Sequence, residues 1–90
     1  MKEGFVTINE WGIYINKKVA EKLEYRPRAN ITIEYPKIII EFSDKGEYSV
    51  CCTKGGLSIP CRSKVKNLKK GRYYEVFVRD NKVIVLICQQ

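Results

Sequence analysis

Two stretches of the chain run through the same order of apolar and polar positions. The first opens with Phe5-Val6-Thr7-Ile8, where Val6 and Ile8 share one face of a predicted strand. The turn Asn9-Glu10-Trp11-Gly12 leads into a short strand, Ile13-Tyr14-Ile15. Asn16 then stands where a helix N-cap belongs, because its side-chain oxygen can accept from an otherwise unpaired N–H. The spacing of Val19 and Leu23 predicts a brief amphipathic helix over Lys17–Leu23, and Pro27 forbids its continuation. Two strands, Asn30–Glu34 and Lys37–Phe42, follow across Tyr35-Pro36.

The second stretch repeats the scheme. Tyr48, Val50 and Cys52 alternate along a first strand, which places Cys52 inward as a small hydrophobe, and Cys88 in the last strand likewise. Lys54-Gly55-Gly56 turns the chain into Leu57-Ser58-Ile59. Pro60 is read as the first helical residue, Cys61, Val65 and Leu68 as the apolar stripe, and Gly71 as the stop. A final hairpin, Tyr73–Arg79 with Lys82–Cys88, turns at Asp80-Asn81. Of the adjacent Tyr73 and Tyr74, one must point outward.

Overlaying the stretches places Val6 on Val50, Gly12 on Gly56 and Ile15 on Ile59 at an offset of 44, and Leu23 on Leu68 and Ile39 on Ile84 at 45. The inserted residue is expected just before Leu68. This gives one domain with repeat one at 5–42, linker 43–47 and repeat two at 48–88. A half of about forty residues cannot bury its own hairpin faces, so the second copy must cover the first. The predicted fold is mostly β with short helices: two β-β-α-β-β halves forming one pseudo-twofold, β-barrel-like domain.

Charge adds direction to this picture. Residues 1–44 hold seven basic and seven acidic side chains, whereas residues 45–90 hold ten and three, so the whole excess of +7 lies in the second half. Lys54, Arg62, Lys64, Lys66, Lys69 and Lys70 are expected around one turn and one short helix, a footprint suited to a polyanion. The two helix starts, at Asn16 and Pro60, are expected to add N–H donors to phosphate. Tyr48, Tyr73 and Tyr74 offer surfaces for stacking bases of a single strand.

Other chemistry finds little support. The chain has no His, and its four cysteines form no C-x-x-C pair, so no cofactor or metal is expected. No general base stands ready beside a nucleophile, and an enzyme is not expected. Cys61, close in sequence to Arg62 and Lys64, is the one thiol expected to have a lowered pKa. No apolar run is long enough for a membrane span, and the N-terminal residues lack a signal peptide's apolar core, so a cytoplasmic location is expected.

Gly55-Gly56-Leu57-Ser58-Ile59-Pro60, the helix to Leu68, Lys69-Lys70-Gly71 and the Val-rich hairpin resemble the AbrB/MazE/SpoVT swapped-hairpin family. Gly12-Ile13-Tyr14-Ile15-Asn16 through Leu23 resembles the same run, and two copies in one chain is similar to the MraZ arrangement. The resemblance implies interlocked strands, duplex DNA as partner, and a role as transcription regulator or antitoxin. By position it implies DNA contacts from Lys54 in the loop and from Arg62, Lys64 and Lys66 on the helix, with Lys17 and Lys18 at the first helix start. The family's Arg after the loop glycine is Gly56 here and Gly12 in the first half, which removes a bidentate fork. The alternative is an antitoxin-like or assembly module with an acidic protein partner, using Trp11 and Tyr14 as contacts. The chain is expected as a monomeric pseudo-dimer or a homodimer.

Overall fold

The computed structural model describes residues 4–24 and 26–87; the inward placement expected of Cys88 lies outside them. The chain is mostly β with two short helices, in the order β1 (Val6–Ile8), β2 (Gly12–Asn16), α1 (Lys17–Ala20), β3 (Arg28–Glu34), β4 (Lys37–Ser43), β5 (Tyr48–Ser49), β6 (Cys51–Thr53), β7 (Gly56–Pro60), α2 (Arg62–Val65), β8 (Gly71–Tyr73), β9 (Val76–Arg79) and β10 (Lys82–Leu86). These strands make two antiparallel five-stranded sheets, β6-β7-β2-β1-β8 and β5-β3-β4-β10-β9. Neither closes into a barrel. Their apolar faces share one core, in which Ile8, Ile13, Ile15 and Ile59 of the first sheet join Ile38, Ile40, Val83 and Val85 of the second.

The strand registers carry a symmetry. In the first sheet Tyr14 faces Ser58, the residue that the offset of 44 assigns to it, so the β2–β7 pairing from Gly12↔Pro60 to Asn16↔Gly56 maps onto itself. In the second sheet Ile39 faces Ile84, its partner at offset 45, and Lys37↔Leu86 maps onto Lys82↔Glu41. Thr7↔Tyr14 and Ile8↔Ile13 correspond to Cys51↔Ser58 and Cys52↔Leu57. An antiparallel pair that maps onto itself has a local two-fold axis perpendicular to its sheet. Groups related by it therefore lie on the same side of that sheet.

Two glycines make the central crossing possible. A Cβ on Gly12 would collide with the Ile59 carbonyl oxygen, and one on Gly56 with the equivalent Ile15 carbonyl oxygen. No side chain fits between strands that approach so closely, which accounts for Gly at these two positions.

Several local expectations need correction. The first helix stops at Ala20 rather than Leu23, because the following N–H groups of Lys22 and Leu23 bond three residues back, to Val19 and Ala20. Pro60 is not helical. It ends β7 opposite Gly12, and the next N–H, of Cys61, extends the ladder by bonding to Trp11 O at 3.0 Å. α2 therefore starts at Arg62 and spans one turn, and Gly71 opens β8 instead of ending a helix. Since α1 and α2 correspond at offset 45, the inserted residue falls at the β7–α2 junction, not before Leu68. The strand expected over Tyr48–Cys52 breaks at Val50, whose N–H bonds to Pro27 O at 2.8 Å, and its two parts serve different sheets. Cys52 is exposed, because β6 is an edge strand with no neighbour beyond it. The strand expected from Tyr73 to Arg79 likewise divides into β8 and β9 across the two sheets.

Candidate nucleic-acid interface

The candidate side chains stand on the first sheet's ends, where turns and helix starts meet. At the β1–β2 turn, Asn9 Oδ1 accepts from the N–H groups of Trp11 (2.9 Å) and Gly12 (3.0 Å), and this lifts the Trp11 indole into solvent, 66 % exposed. At the β6–β7 turn the Thr53 hydroxyl donates to Gly56 O at 3.1 Å, leaving Lys54 exposed at the tip.

Each turn faces the helix of the opposite repeat. Asn16 pairs with Gly56, so the Lys54 turn lies beside the start of α1. There Asn16 Oδ1 accepts from the Lys18 N–H at 2.9 Å, as expected of the cap, and Val19 is buried while Lys17 and Lys18 face solvent. Gly12 pairs with Pro60, so the Trp11 turn lies beside the start of α2. Cys61 and Val65 anchor that helix in the core; Arg62 and Lys66 are exposed and Lys64 is half-buried.

The six candidates thus form two groups: Lys17, Lys18 and Lys54 at one end of the β2–β7 ribbon, Arg62, Lys64 and Lys66 at the other. Five-residue strands set these ends about 14 Å apart. Lys54 does not join Arg62 and Lys64 as expected, because antiparallel strands bring the turn that opens β7 to the end of β2. Lys70 is exposed but is turned back onto α2. Its ammonium donates to the carbonyls of Val65 and Leu68 (both 2.9 Å) and Lys66 (3.4 Å), closing the C-terminal end of α2. Both helices are single turns, and at the start of α1 the Lys18 N–H is already taken by Asn16.

Between the two groups, one register row crosses all five strands on the sheet's outer face: Cys51, Ser58, Tyr14, Thr7, Arg72. Arg72 was not foreseen from the sequence. Its guanidinium lies 4.5 Å from the Phe5 ring centre, and the Phe5 and Tyr74 rings meet edge to face at 5.8 Å. The signal for it was the inward Tyr73 next to it, since strand neighbours point to opposite faces. Tyr73 is buried, its hydroxyl donating to Lys69 O at 2.6 Å, while Tyr74 is exposed, as the adjacent pair required. Tyr48 is half-buried against the core.

The lowered pKa expected of Cys61 is overturned. Burial pushes the Cys61 thiol up from 9.0 to about 11, outweighing the backbone hydrogen bond with Ile13 and the Lys64 ammonium, which both act downward. Burial also raises the Tyr73 hydroxyl. Among the described residues no three His, Cys, Asp or Glu side chains gather as metal ligands, and no helix is long and apolar enough to cross a membrane. No protein family, curated protein or solved structure gives a significant match to the chain.

Proposed function

We propose that this chain is a duplex-DNA-binding protein built from two intertwined swapped-hairpin halves in one polypeptide, acting in the cytoplasm as a transcriptional regulator. The observation that supports it best is the self-mapping register about Tyr14 and Ser58. It relates the two turns and the two helix starts by one axis, and duplex DNA offers a matching local two-fold in its own backbone. Lys17, Lys18 and Lys54 on one side of the axis, and Arg62, Lys64 and Lys66 on the other, then contact phosphates. Lysines dominate the set, so affinity is mostly electrostatic and sequence selectivity modest. The β3–β4 and β9–β10 hairpins, joined through Ile39 and Ile84, are the exchanged hairpins of this reading.

The test is a salt titration of anisotropy with a random-sequence duplex. Five or six phosphate contacts give a log K against log salt slope of about −4.5 to −5.4, and Arg62→Ala with Lys64→Ala together reduce its magnitude by about 2. An unchanged slope in a folded double variant removes this site. A second reading, an acidic protein partner, draws on Trp11, exposed at the turn where repeat two has the cationic Lys54 tip. Absence of duplex binding at low salt favours it.

A further inference from the structure

The outer face of the second sheet carries an ordered grid of side chains, and at Phe77 it borders a depression that Lys18 also lines. A central register row runs Thr32, Ile39, Ile84, Phe77 across β3, β4, β10 and β9. On one side lies the row Glu34, Lys37, Leu86, and on the other Asn30, Glu41, Lys82, Arg79. The centre is apolar and open to solvent: Phe77 is 51 % and Leu86 36 % exposed, and Ile39 and Ile84 are half-buried. A shallow depression beside Phe77 and Ile84 is walled by Lys22, Val76, Val78 and Arg79.

We infer that this face is a self-association surface, on which a second copy of the chain stacks sheet against sheet. The charge pattern selects that occupant. The chain carries +7, and two copies repel wherever that excess is displayed. The rows beside the apolar centre hold Glu34 and Glu41 against Lys37, Lys82 and Arg79, so their charges nearly cancel and each copy offers both signs to the other. Glu34 is already opposite Lys37, and Glu41 opposite Lys82, across strands, which keeps the rim neutral on approach.

Size sets the strength. The four strands hold seven, seven, five and four residues, which gives a face on the order of 370 Å² in plan, below the ~800 Å² per partner of a stable complex. The dimer is therefore reversible, and the first sheets of both copies face outward in it. This inference does not rest on the nucleic-acid reading.

The test is sedimentation equilibrium of the full chain over a concentration series. The weight-average mass is expected to rise from 10.5 kDa towards twice that value as the concentration is raised. Phe77→Glu is expected to raise the dimer Kd at least tenfold, about 1.4 kcal/mol, with circular dichroism and thermal melting reporting an intact fold. Leu86→Glu, in the flanking row of the same face, gives the same shift should Phe77→Glu fail to fold. A chain that remains monomeric throughout the series overturns the proposal. So does a dimer indifferent to both folded variants, or one whose formation protects only the β9 backbone amides, which marks pairing at a sheet edge.

Discussion

The two halves follow one plan, yet their first strands have different fates. β1 lies between β2 and β8, with partners on both sides, and Ile8 on it is 1 % exposed. Its counterpart breaks at Val50: β5 adds to the second sheet, β6 forms the rim of the first, and Cys52, the equivalent of Ile8, is exposed. The hairpin turns differ too. Repeat one uses Tyr35-Pro36 with a cis peptide, and repeat two uses Asp80 and Asn81 at φ of 53° and 59°. What the halves keep in common is what crosses the axis, namely the β2–β7 and β4–β10 registers and the glycines between them. Identity is required where each copy is the other's neighbour, and sequence is free to drift at the periphery.

The largest effects belong to the shared crossing. Gly12→Ala and Gly56→Ala each put a methyl group against a backbone carbonyl, so each should cost about 3–4 kcal/mol in urea denaturation. The two costs should agree, because the carbonyls of Ile59 and Ile15 are themselves equivalent. Gly71→Ala, at a comparable φ of 142° but with nothing within 4 Å of the added Cβ, carries the backbone strain without the collision and should cost less. A Gly56→Ala chain as stable as the parent would break the equivalence.

The periphery predicts the opposite, a difference between matched positions. Ile8→Ala empties a fully enclosed site and should cost about 3 kcal/mol. Cys52→Ala on the open rim should change stability by no more than about 0.5 kcal/mol. Equal losses at the two positions would mean that β6 is covered in solution, and the comparison would have to be redrawn.

This contrast also marks what the sequence could disclose. Alternation along Ile13-Tyr14-Ile15 and Leu57-Ser58-Ile59 gave the inward faces correctly, because burial leaves a period of two in the residues themselves. The Asn16 cap was legible for a similar reason, since the chemistry is local. Whether a strand is central or at an edge depends on partners dozens of residues away, and nothing in Tyr48-Ser49-Val50-Cys51-Cys52 records that. The same holds for the site. The sequence identified Lys17, Lys18, Lys54, Arg62, Lys64 and Lys66 as a set, but which end of the ribbon each occupies follows only from antiparallel pairing across the halves. Lys70 was misread because its role depends on where α2 ends, which the pattern overestimated by about a turn.

The helix starts sharpen the comparison further. Both helices begin after a matched strand, but the residue capping α1 is the polar Asn16, whereas α2 is preceded by the buried Cys61, which makes no side-chain cap. The second half thus gives up a cap and gains a core contact, and that contact carries a pH signature. The Cys61 thiol ionises at 9.0 in an ordinary setting and at about 11 in the folded chain. Below pH 9 the thiol is neutral in both states and its burial is fully stabilising. Between pH 9 and 11 the unfolded chain releases the proton and the folded chain does not, so stability falls by about 2–3 kcal/mol. The Tyr73 hydroxyl, also raised by burial, acts in the same sense from its ordinary 10.0 upward. Cys61→Ala should be less stable at neutral pH, yet lose less on going from pH 8 to 11 than the parent does. Parallel pH profiles for the two chains would show that the thiol is not held neutral by the core, and that the two helix starts differ less than their burial implies.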